Sequence, residues 1–207
     1  MIILGVTGPS GSGKSLLCEA FFSEGVPVLD ADAVYHGWID RQTPCTQALA
    51  DAFGEEILTP TGAVDRKKLA KVVFCGGECE QERLLLLNKI THPFVLDSCH
   101  AWLQAQRTLG VRAAVLDAPL LIEADLHKEC DRVIAVLAPK EIRISRIMER
   151  DAISREAAQS RIAAQKDDAF YSEHADIVFV NDKDPAAAKH LVASLMKDLP
   201  QQSEKKN

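Results

Sequence analysis

Five short apolar runs, each bounded by turn residues, recur along the chain and are separated by segments with helical spacing. The runs are residues 1–7, 26–30, 112–118, 132–138 and 175–181. A continuous apolar run of this length is typical of a strand that is buried on both faces. Strands that alternate with helices predict an α/β fold built on a five-stranded parallel sheet.

The stretch between Asp32 and Ala113 is far too long for a single crossover between strands, so it predicts a helical insertion. Helical spacing occurs within it at residues 44–53, 65–74 and 78–110, and Pro93 is expected to bend or end a helix. We predict one domain that divides as follows: a core of residues 1–32, 111–138 and 174–199, a helical insertion of residues 33–110, a second helical region of residues 139–173, and a flexible polar tail of residues 200–207.

The sequence GPSGSGKS, residues 8–15, lies between the first strand and a helix and satisfies the P-loop pattern GxxxxGK[ST]. Glycines let the backbone turn with its N–H groups inward, and the helix adds the positive end of its dipole. Lys14 is expected to reach the β and γ phosphates of ATP, and the Ser15 hydroxyl to bind Mg²⁺. The expected nucleotide-binding residues are Gly11, Ser12, Gly13, Lys14, Ser15 and Leu16. The alternative is a plain turn between a strand and a helix, which needs neither the lysine nor this spacing.

Composition narrows the classes of function. The formal net charge of −6 argues against a nucleic-acid partner, because such binding relies on clustered Lys and Arg. The six cysteines are scattered without a CxxC motif and are expected to be reduced packing residues. No segment approaches the roughly 20 apolar residues that span a membrane, and we expect a cytoplasmic protein without a membrane partner.

The P-loop alone does not separate a kinase from a nucleotide-dependent switch. A GTPase would be expected to carry an NKxD segment and a DxxG turn, whereas the corresponding stretches here are NDKD and DAPL. A small phosphoryl-transfer enzyme is the interpretation that remains.

The segments DADAVYH, DRKKLAKVVF, THPFV, PLLIE and RISRIMERDAISREAAQSRIAAQ follow the P-loop in that order. Together they resemble the dephospho-CoA kinase family, which uses ATP to phosphorylate the ribose 3′-hydroxyl of dephospho-CoA. The resemblance implies a P-loop core, an acceptor-binding role for residues 33–110 and a lid at residues 139–173. It also implies ATP and Mg²⁺ as ligands, dephospho-CoA as acceptor, and no obligatory protein partner.

Asp30 ends the second predicted strand and Asp32 follows it, at the sheet edge where ligands of open α/β sheets bind. A positioned carboxylate can orient a sugar hydroxyl and accept its proton. The resemblance assigns that role to Asp32 and leaves Asp30 as a candidate Mg²⁺ partner through water. The alternative is that an aspartate here caps the helix that starts near Ala33.

Arg143, Arg146 and Arg150 are spaced i, i+3 and i+7, which puts all three on one stripe of a helix. Such a stripe can close over a triphosphate and offset the charge of the transferring group. The alternative is a solvated basic face. By resemblance Arg146 and Arg150 match the lid pattern, and Arg146 is the expected catalytic arginine, whereas Arg143 stands where the family often has glutamine.

The resemblance places Arg66 and His92 on the acceptor side, with Arg66 pairing with the substrate diphosphate, and Asn181 near the nucleotide base. Asp117, which closes the third predicted strand, is a candidate water-mediated Mg²⁺ partner or simply the start of a turn. His36 stands where the family usually has arginine.

Two other functions stay open. Pro9 and Ser10 give the loop a form that is also found in uridine-kinase-like enzymes, so another small-molecule hydroxyl kinase, such as a nucleoside kinase, is one alternative. A non-catalytic nucleotide-binding switch is the other.

Overall fold

The computed structural model describes residues 1–182 and 184–198, and the five predicted strands are all present in it. They are β1 (Ile2–Thr7), β2 (Val28–Asp30), β3 (Ala113–Asp117), β4 (Arg132–Leu137) and β5 (Ile177–Val180). The predicted polar tail of residues 200–207 lies outside the described residues.

Helices connect the strands and fill the two longer intervals. They are α1 (Lys14–Ser23), α2 (Ala31–Ile39), α3 (Pro44–Phe53), α4 (Arg66–Val73), α5 (Glu78–Thr108), α6 (Lys140–Asp151), α7 (Arg155–Ala163), α8 (Asp168–Glu173) and α9 (Pro185–Asp198), with short 3₁₀ turns at Glu55–Ile57 and Leu126–Glu129. None of the helices in residues 1–182 and 184–198 has both the length and the hydropathy needed to cross a membrane.

The helix of residues 44–53 starts and ends where the sequence predicts it, because Thr43 caps it and Pro44 occupies its first position. Of the two outcomes expected at Pro93, a bend or an end of the helix, the end does not occur, because α5 continues through that residue. Leu87, Ile90 and Phe94 pack against the same apolar cluster on both sides of the proline. Their burial offsets the hydrogen bond that proline cannot donate.

The strand order β2-β3-β1-β4-β5 puts β1 in the centre of the sheet. It pairs in parallel with β3, where Val6 lies opposite Asp117, and with β4, where Thr7 lies opposite Ala135. The chain therefore changes direction across the sheet at β1, and the carboxyl end beside such a point is where open α/β sheets bind ligands. The P-loop follows β1 at that end.

The sheet is covered by α1 and α9 through a continuous apolar core. Its members include Leu4, Val6, Val115, Ile134 and Val136 from the strands and Leu17, Phe21, Ala188 and Val192 from the two helices. This packing anchors α1, and with it the end of the P-loop.

The chain divides into two compact units. The first comprises the described residues of Met1–Leu29 and Leu103–Asn207, and the second is Asp30–Trp102. The second unit has an apolar core of its own, formed by Ile39, Cys45, Leu49, Phe53, Ile57, Val64, Leu69 and Val73. The acceptor-binding and lid roles expected for residues 33–110 and 139–173 stay predictions.

Phe21 and Phe22 offer a matched test of this core, since they are adjacent on α1 but differ in burial. Phe21 is fully buried, whereas Phe22 is 73% exposed. We expect Phe21→Ala to lower the free energy of unfolding by about 3–5 kcal/mol, and Phe22→Ala to change it by about 0.5 kcal/mol or less. Urea denaturation followed by circular dichroism measures both. Equal losses in the two variants would contradict the placement of α1 on the sheet.

Candidate active site

The loop between β1 and α1 has the geometry of an anion cradle. Gly13 has a φ of 86°, in the left-handed region, and an added Cβ there would come within 2.2 Å of Asn181 Nδ2. Gly13 is also the N-cap of α1 and has no side chain that could bond to the first N–H groups of the helix. Those groups, with the positive end of the helix dipole, are therefore available to an anion.

Three polar side chains of the loop have different surroundings. The Lys14 ammonium donates to the carbonyl oxygen of Gly8 at 3.2 Å, so the side chain folds back over the loop. The Ser12 hydroxyl is buried and has no hydrogen-bond partner among the described residues. Since buried hydroxyls are nearly always paired, a ligand oxygen is a natural partner for it. Ser15 is exposed in the first turn of α1.

Arg146 and Asn181 hold the loop by its carbonyl oxygens. Arg146 Nη1 donates to Gly11 O at 3.2 Å and to Ser12 O at 3.0 Å, while its Nη2 donates to Asn181 Oδ1 at 3.1 Å. Asn181 Nδ2 donates to Ser12 O at 2.9 Å, and the residue is 1% exposed. The structure thus places Arg146 at the loop, and its catalytic role stays a prediction. The side chain of Asn181 is engaged with the loop backbone, and its contact with the nucleotide base stays a prediction.

Arg143 holds the same loop one residue earlier. Its Nε donates to Ser10 O at 3.1 Å and its Nη2 to Gln165 Oε1 at 2.9 Å. Gln165 Oε1 also accepts from Ser10 N at 3.2 Å. Asp168 lies 3.4 Å from Arg143 Nη1. Burial lowers the pKa of the Arg143 guanidinium, and the Asp168 carboxylate opposes that shift.

The three arginines of α6 therefore do not form one solvated stripe. Arg143 is 5% exposed, Arg146 is half-buried, and Arg150 is exposed. The solvated-face alternative is wrong for Arg143 in particular, because the loop covers it. Arg150 donates to Asp151 and, through Nη2, to Ser10 Oγ at 3.2 Å, so it too reaches the loop.

A cavity of about 410 Å³ opens beside Gly8. It is lined by Gly8, Pro119, Leu120, Glu123, Ala164, Gln165, Lys166 and Tyr171. Burial, followed by the nearby Glu123 carboxylate, raises the pKa of Tyr171 to about 12, so its hydroxyl stays protonated at neutral pH. The motif PLLIE and the end of the predicted lid region thus meet next to the P-loop.

The carboxylates near β2 and β3 have separate roles in the local structure. Asp30 Oδ1 accepts from Asp32 N at 2.8 Å and Ala33 N at 3.1 Å, which makes Asp30 the N-cap of α2. Asp32 is exposed in the first turn of that helix. The capping alternative therefore applies to Asp30 and not to Asp32. Asp117 ends β3 at the height of Val6, two residues before the loop.

In the second unit, Arg66 forms an ion pair with Asp40. Arg66 Nε and Nη2 donate to Asp40 Oδ1 at 3.2 and 2.7 Å, and Nη2 also lies 2.5 Å from Oδ2. The hydrogen bond from Arg66 holds the pKa of the exposed Asp40 carboxyl below its usual value. Asp65 caps α4 through Lys67 N and Lys68 N, which positions Arg66 at the start of the helix.

A second cavity, of about 260 Å³, lies within this unit and is almost entirely apolar. Its lining residues are Tyr35, Ile39, Arg66, Leu69, Ala70, Val73, Phe74 and Leu87. His92 is half-buried on α5, and burial lowers its pKa, so the ring is neutral at neutral pH. His92 is not among the lining residues. His36 Nδ1 is buried and has no hydrogen-bond partner among the described residues.

The oxygen atoms available at the loop suit a Mg²⁺ ion that takes most of its ligands from waters and from the phosphates of a bound nucleotide. Residues 1–182 and 184–198 contain no group of three or more His, Cys, Asp or Glu that could hold a metal. The loop offers the Ser15 hydroxyl, and Asp117 ends β3, which pairs with β1. Mg²⁺ commonly keeps several waters and binds through few protein oxygens together with substrate phosphates.

The sequence model of the family described as dephospho-CoA kinase matches residues 2–186. The chain belongs to the dephospho-CoA kinase family. Among curated members, it is 37% identical over 181 residues to the dephospho-CoA kinase of Dehalococcoides mccartyi, which covers 87% of this chain and 89% of the relative. It is 35% identical over 192 residues to that of Bacillus licheniformis, covering 91% and 94% respectively.

Solved structures agree with this family membership. The chain superposes on the crystal structure of TT1252 from Thermus thermophilus with a TM-score of 0.79 at 30% identity, covering 97% of this chain and 98% of the other. Dephospho-CoA kinase from Campylobacter jejuni gives a TM-score of 0.68 at 26% identity, covering 95% and 96%. The fold of this family member is therefore the α/β P-loop kinase fold that the sequence predicts.

Sequence reasoning missed two residues that the structure brings to the loop. Gln165 bonds to Ser10 N, and Lys166 lines the cavity beside Gly8 with its Nζ 5.4 Å from the centre of the Phe170 ring. The signal was the end of the segment SRIAAQK, but a polar residue after a helix is too common to single out. Arg143 was identified, but its burial was not.

Gly13 and Gly25 provide a matched test of the cradle, because both have positive φ but only Gly13 is crowded. An added Cβ at Gly25 would meet no atom within 4 Å. We expect Gly25→Ala to cost about 1 kcal/mol of stability from backbone strain alone and to leave nucleotide affinity unchanged. Gly13→Ala should cost more and weaken binding of Mg-ATP by at least about tenfold, since it displaces Asn181 from the loop.

Thermal unfolding and isothermal titration calorimetry on both variants measure the difference. Equal affinity for Mg-ATP in the two variants would contradict the proposed cradle.

Proposed function

We infer that this chain transfers the terminal phosphoryl group of ATP to the ribose 3′-hydroxyl of dephospho-CoA, which gives coenzyme A, the last step of coenzyme A synthesis. The observation that carries the inference is the match of the dephospho-CoA kinase family over residues 2–186, which include the complete P-loop. The loop geometry supports the ATP side independently, through the start of α1, which no side chain caps, and the Ser12 hydroxyl, which has no hydrogen-bond partner within residues 1–182 and 184–198.

The phosphate side acts by positioning and by electrostatics, which dominate catalysis of phosphoryl transfer. We propose that the N–H groups at the start of α1 bind the phosphates and that Lys14, which already lies over the loop, moves from Gly8 O to the β and γ phosphates. Arg146 is the proposed catalytic arginine. Its Nη atoms bond to the loop and Asn181, and its charge stabilises negative charge on the transferring group across a short distance.

We propose that Mg²⁺ accompanies ATP, held by Ser15, with Asp30 as a partner through water. The ion would neutralise charge on the phosphates. Asp30 can serve in this way because its capping bonds use only Oδ1.

We propose that Asp32 orients the ribose 3′-hydroxyl and accepts its proton. Three observations support the role: Asp32 follows the carboxyl end of β2, a strand of the same sheet as β1, it is exposed, and the cap of α2 is a different residue. A carboxylate within hydrogen-bond reach of a hydroxyl typically contributes about 10²- to 10⁴-fold to such a transfer.

On the acceptor side we propose that the apolar cavity of the second unit takes the pantetheine arm and that Arg66 pairs with the diphosphate. Dephospho-CoA has a charged nucleotide end and an uncharged arm whose methyl and methylene groups alternate with amides. The cavity has the matching division, with Arg66 among otherwise mainly apolar lining residues. Asp40 fixes the Arg66 guanidinium through Nε and Nη2, so the arginine is oriented in advance. His92 is proposed on this side from the family resemblance alone.

Six free thiols suit the reducing cytoplasm, where we propose that the reaction runs.

The acceptor is tested by incubating the purified chain with Mg-ATP and separately with dephospho-CoA, uridine or adenosine, followed by mass spectrometry. We expect one added phosphoryl group on dephospho-CoA only. Lys14→Ala should reduce that turnover by orders of magnitude while leaving the fold intact, since its side chain lies over the loop and outside the apolar core. Phosphorylation of uridine but not of dephospho-CoA would contradict the proposed acceptor, and nucleotide binding without any transfer would favour a switch.

Asp32→Asn tests the proposed base. The amide cannot accept the ribose proton, so transfer to dephospho-CoA should fall by roughly 10²-fold or more, with affinity for Mg-ATP retained. Asp97→Asn, at an exposed position on α5, is the matched control and should leave the rate unchanged. The same preparations are used for calorimetry and for product formation. A folded Asp32→Asn protein that works at close to the unmodified rate would limit Asp32 to a small favourable effect on the helix dipole.

A further inference from the structure

Arg143 is the most deeply buried arginine that the structure describes, and neither the family resemblance nor the proposed mechanism gives it a role. Fully buried arginines are rare unless they are paired. The nearest carboxylate, Asp168, is 3.4 Å away and itself 55% exposed, so this pair alone does not explain the burial. The closer partners of the guanidinium are a backbone carbonyl of the P-loop and a side-chain amide.

Three hydrogen bonds close a ring around Ser10. Arg143 Nε donates to Ser10 O at 3.1 Å, Ser10 N donates to Gln165 Oε1 at 3.2 Å, and Arg143 Nη2 donates to the same Oε1 at 2.9 Å. Both backbone groups of Ser10 are thus satisfied by side chains that are 133 and 155 positions away in the sequence. The ring leaves the Ser10 backbone little freedom to rotate.

The ring determines the direction of an N–H group in the loop. In a trans peptide, the carbonyl oxygen of one residue and the N–H of the next point in opposite directions, and the described residues contain no cis peptide. Because Arg143 holds Ser10 O, the N–H of Gly11 must point away from Arg143. The N–H of Ser12 is already used within the loop, bonded to Pro9 O at 3.1 Å. The Ser10–Gly11 peptide, by contrast, can present its N–H to a phosphate.

Close packing maintains this arrangement. A Cβ added to Gly11 would lie 2.7 Å from Arg143 O and 3.0 Å from Arg143 Cα. The loop backbone thus rests directly on the backbone of α6 at Arg143.

We propose that Arg143 and Gln165 form a clamp that orients the Ser10–Gly11 peptide and thereby makes the loop competent to bind the phosphates of ATP. Arg143 is a positioning residue, since it acts through the loop backbone. The proposal rests on the proposed role of the loop as a phosphate cradle, but it does not depend on the identity of the acceptor.

A pair of substitutions at position 143 isolates the decisive bond. Glutamine places its Nε2 at the same number of bonds from the backbone as arginine Nε, so Arg143→Gln can still donate to Ser10 O. Arg143→Met places a methyl group there and donates nothing. Gln165→Met likewise removes the acceptor with little change of size. Arg155→Met is the control, because Arg155 is exposed and pairs with Glu141.

Calorimetric titration of each folded variant with Mg-ATP, without acceptor, gives the dissociation constant. We expect Arg143→Met and Gln165→Met each to weaken binding by about tenfold, and the double variant that combines these two substitutions to weaken it little further. Arg143→Gln and Arg155→Met should stay within about threefold of the unmodified protein. In steady state, KM for ATP should rise more than kcat falls, because the loop contacts phosphate before and during transfer.

A folded Arg143→Met or Gln165→Met protein with unchanged affinity would overturn the clamp, even if its melting temperature is lower. Fully additive losses in the double variant would also overturn it, because they would show two independent contacts. If Arg143→Met does not fold, Gln165→Met and Arg143→Gln decide the question by the same criteria. An unmodified protein that fails to bind Mg-ATP would instead contradict the phosphate cradle itself, and with it the proposed function.

Discussion

The site depends on the P-loop, residues 8–15, whose glycines and serines make few contacts of their own that would order its backbone. Such a segment loses more conformational freedom on ordering than any other, and it has few side chains with which to compensate. Here the carbonyl oxygens of Ser10, Gly11 and Ser12 are each bonded from outside, by Arg143, Arg146 and Asn181. Bonds from charged donors contribute about 1.5–3 kcal/mol each, which is the scale needed to offset the ordering of a few residues.

The side chains that bond to the loop backbone also determine the charge of the site. Two guanidinium groups and the Lys14 ammonium lie within hydrogen-bond distance of the loop backbone. The chain as a whole carries a formal charge of −6, so its overall field does not attract an anion. Attraction must therefore be local, and half-burial of Arg146 strengthens it because nearby charges are less screened away from water. The side chains that order the loop therefore also supply its positive charge.

The sequence predicts the fold well because its signals are local. Each strand is a short apolar run between turn residues, and α3 begins at a Thr-Pro pair that caps and starts a helix. The P-loop is recognisable because its spacing and its strand–helix context are both local. The helix does not end at Pro93, one of the two outcomes predicted there, because the effect of that proline depends on packing by Leu87, Ile90 and Phe94, which the local rule does not include.

The site was less predictable, for a physical reason that the α6 arginines show. Spacing of i, i+3 and i+7 defines a helix face, but it does not say what covers each part of that face. Arg143 is covered by a loop 133 positions earlier in the sequence, while Arg150 is exposed. Asp30 and Asp32 also show that a local pattern does not determine what each side chain contacts. Which of them caps α2 depends on where β2 ends, and the extended backbone of Asp30 decides it.

The two compact units have separate apolar cores, so a substitution in one core leaves the packing of the other intact. The core around the sheet and the core of Asp30–Trp102 share no residue. A change among the helices of the second unit therefore alters packing there without removing any bond that orders the P-loop. His36, which stands where the family usually has arginine, belongs to that second unit. The His36 ring contacts the ring of Tyr35, and Tyr35 lines the apolar cavity. Such a departure changes the surroundings of the proposed acceptor site, while the phosphate cradle, held by α6 and Asn181, is left as it was.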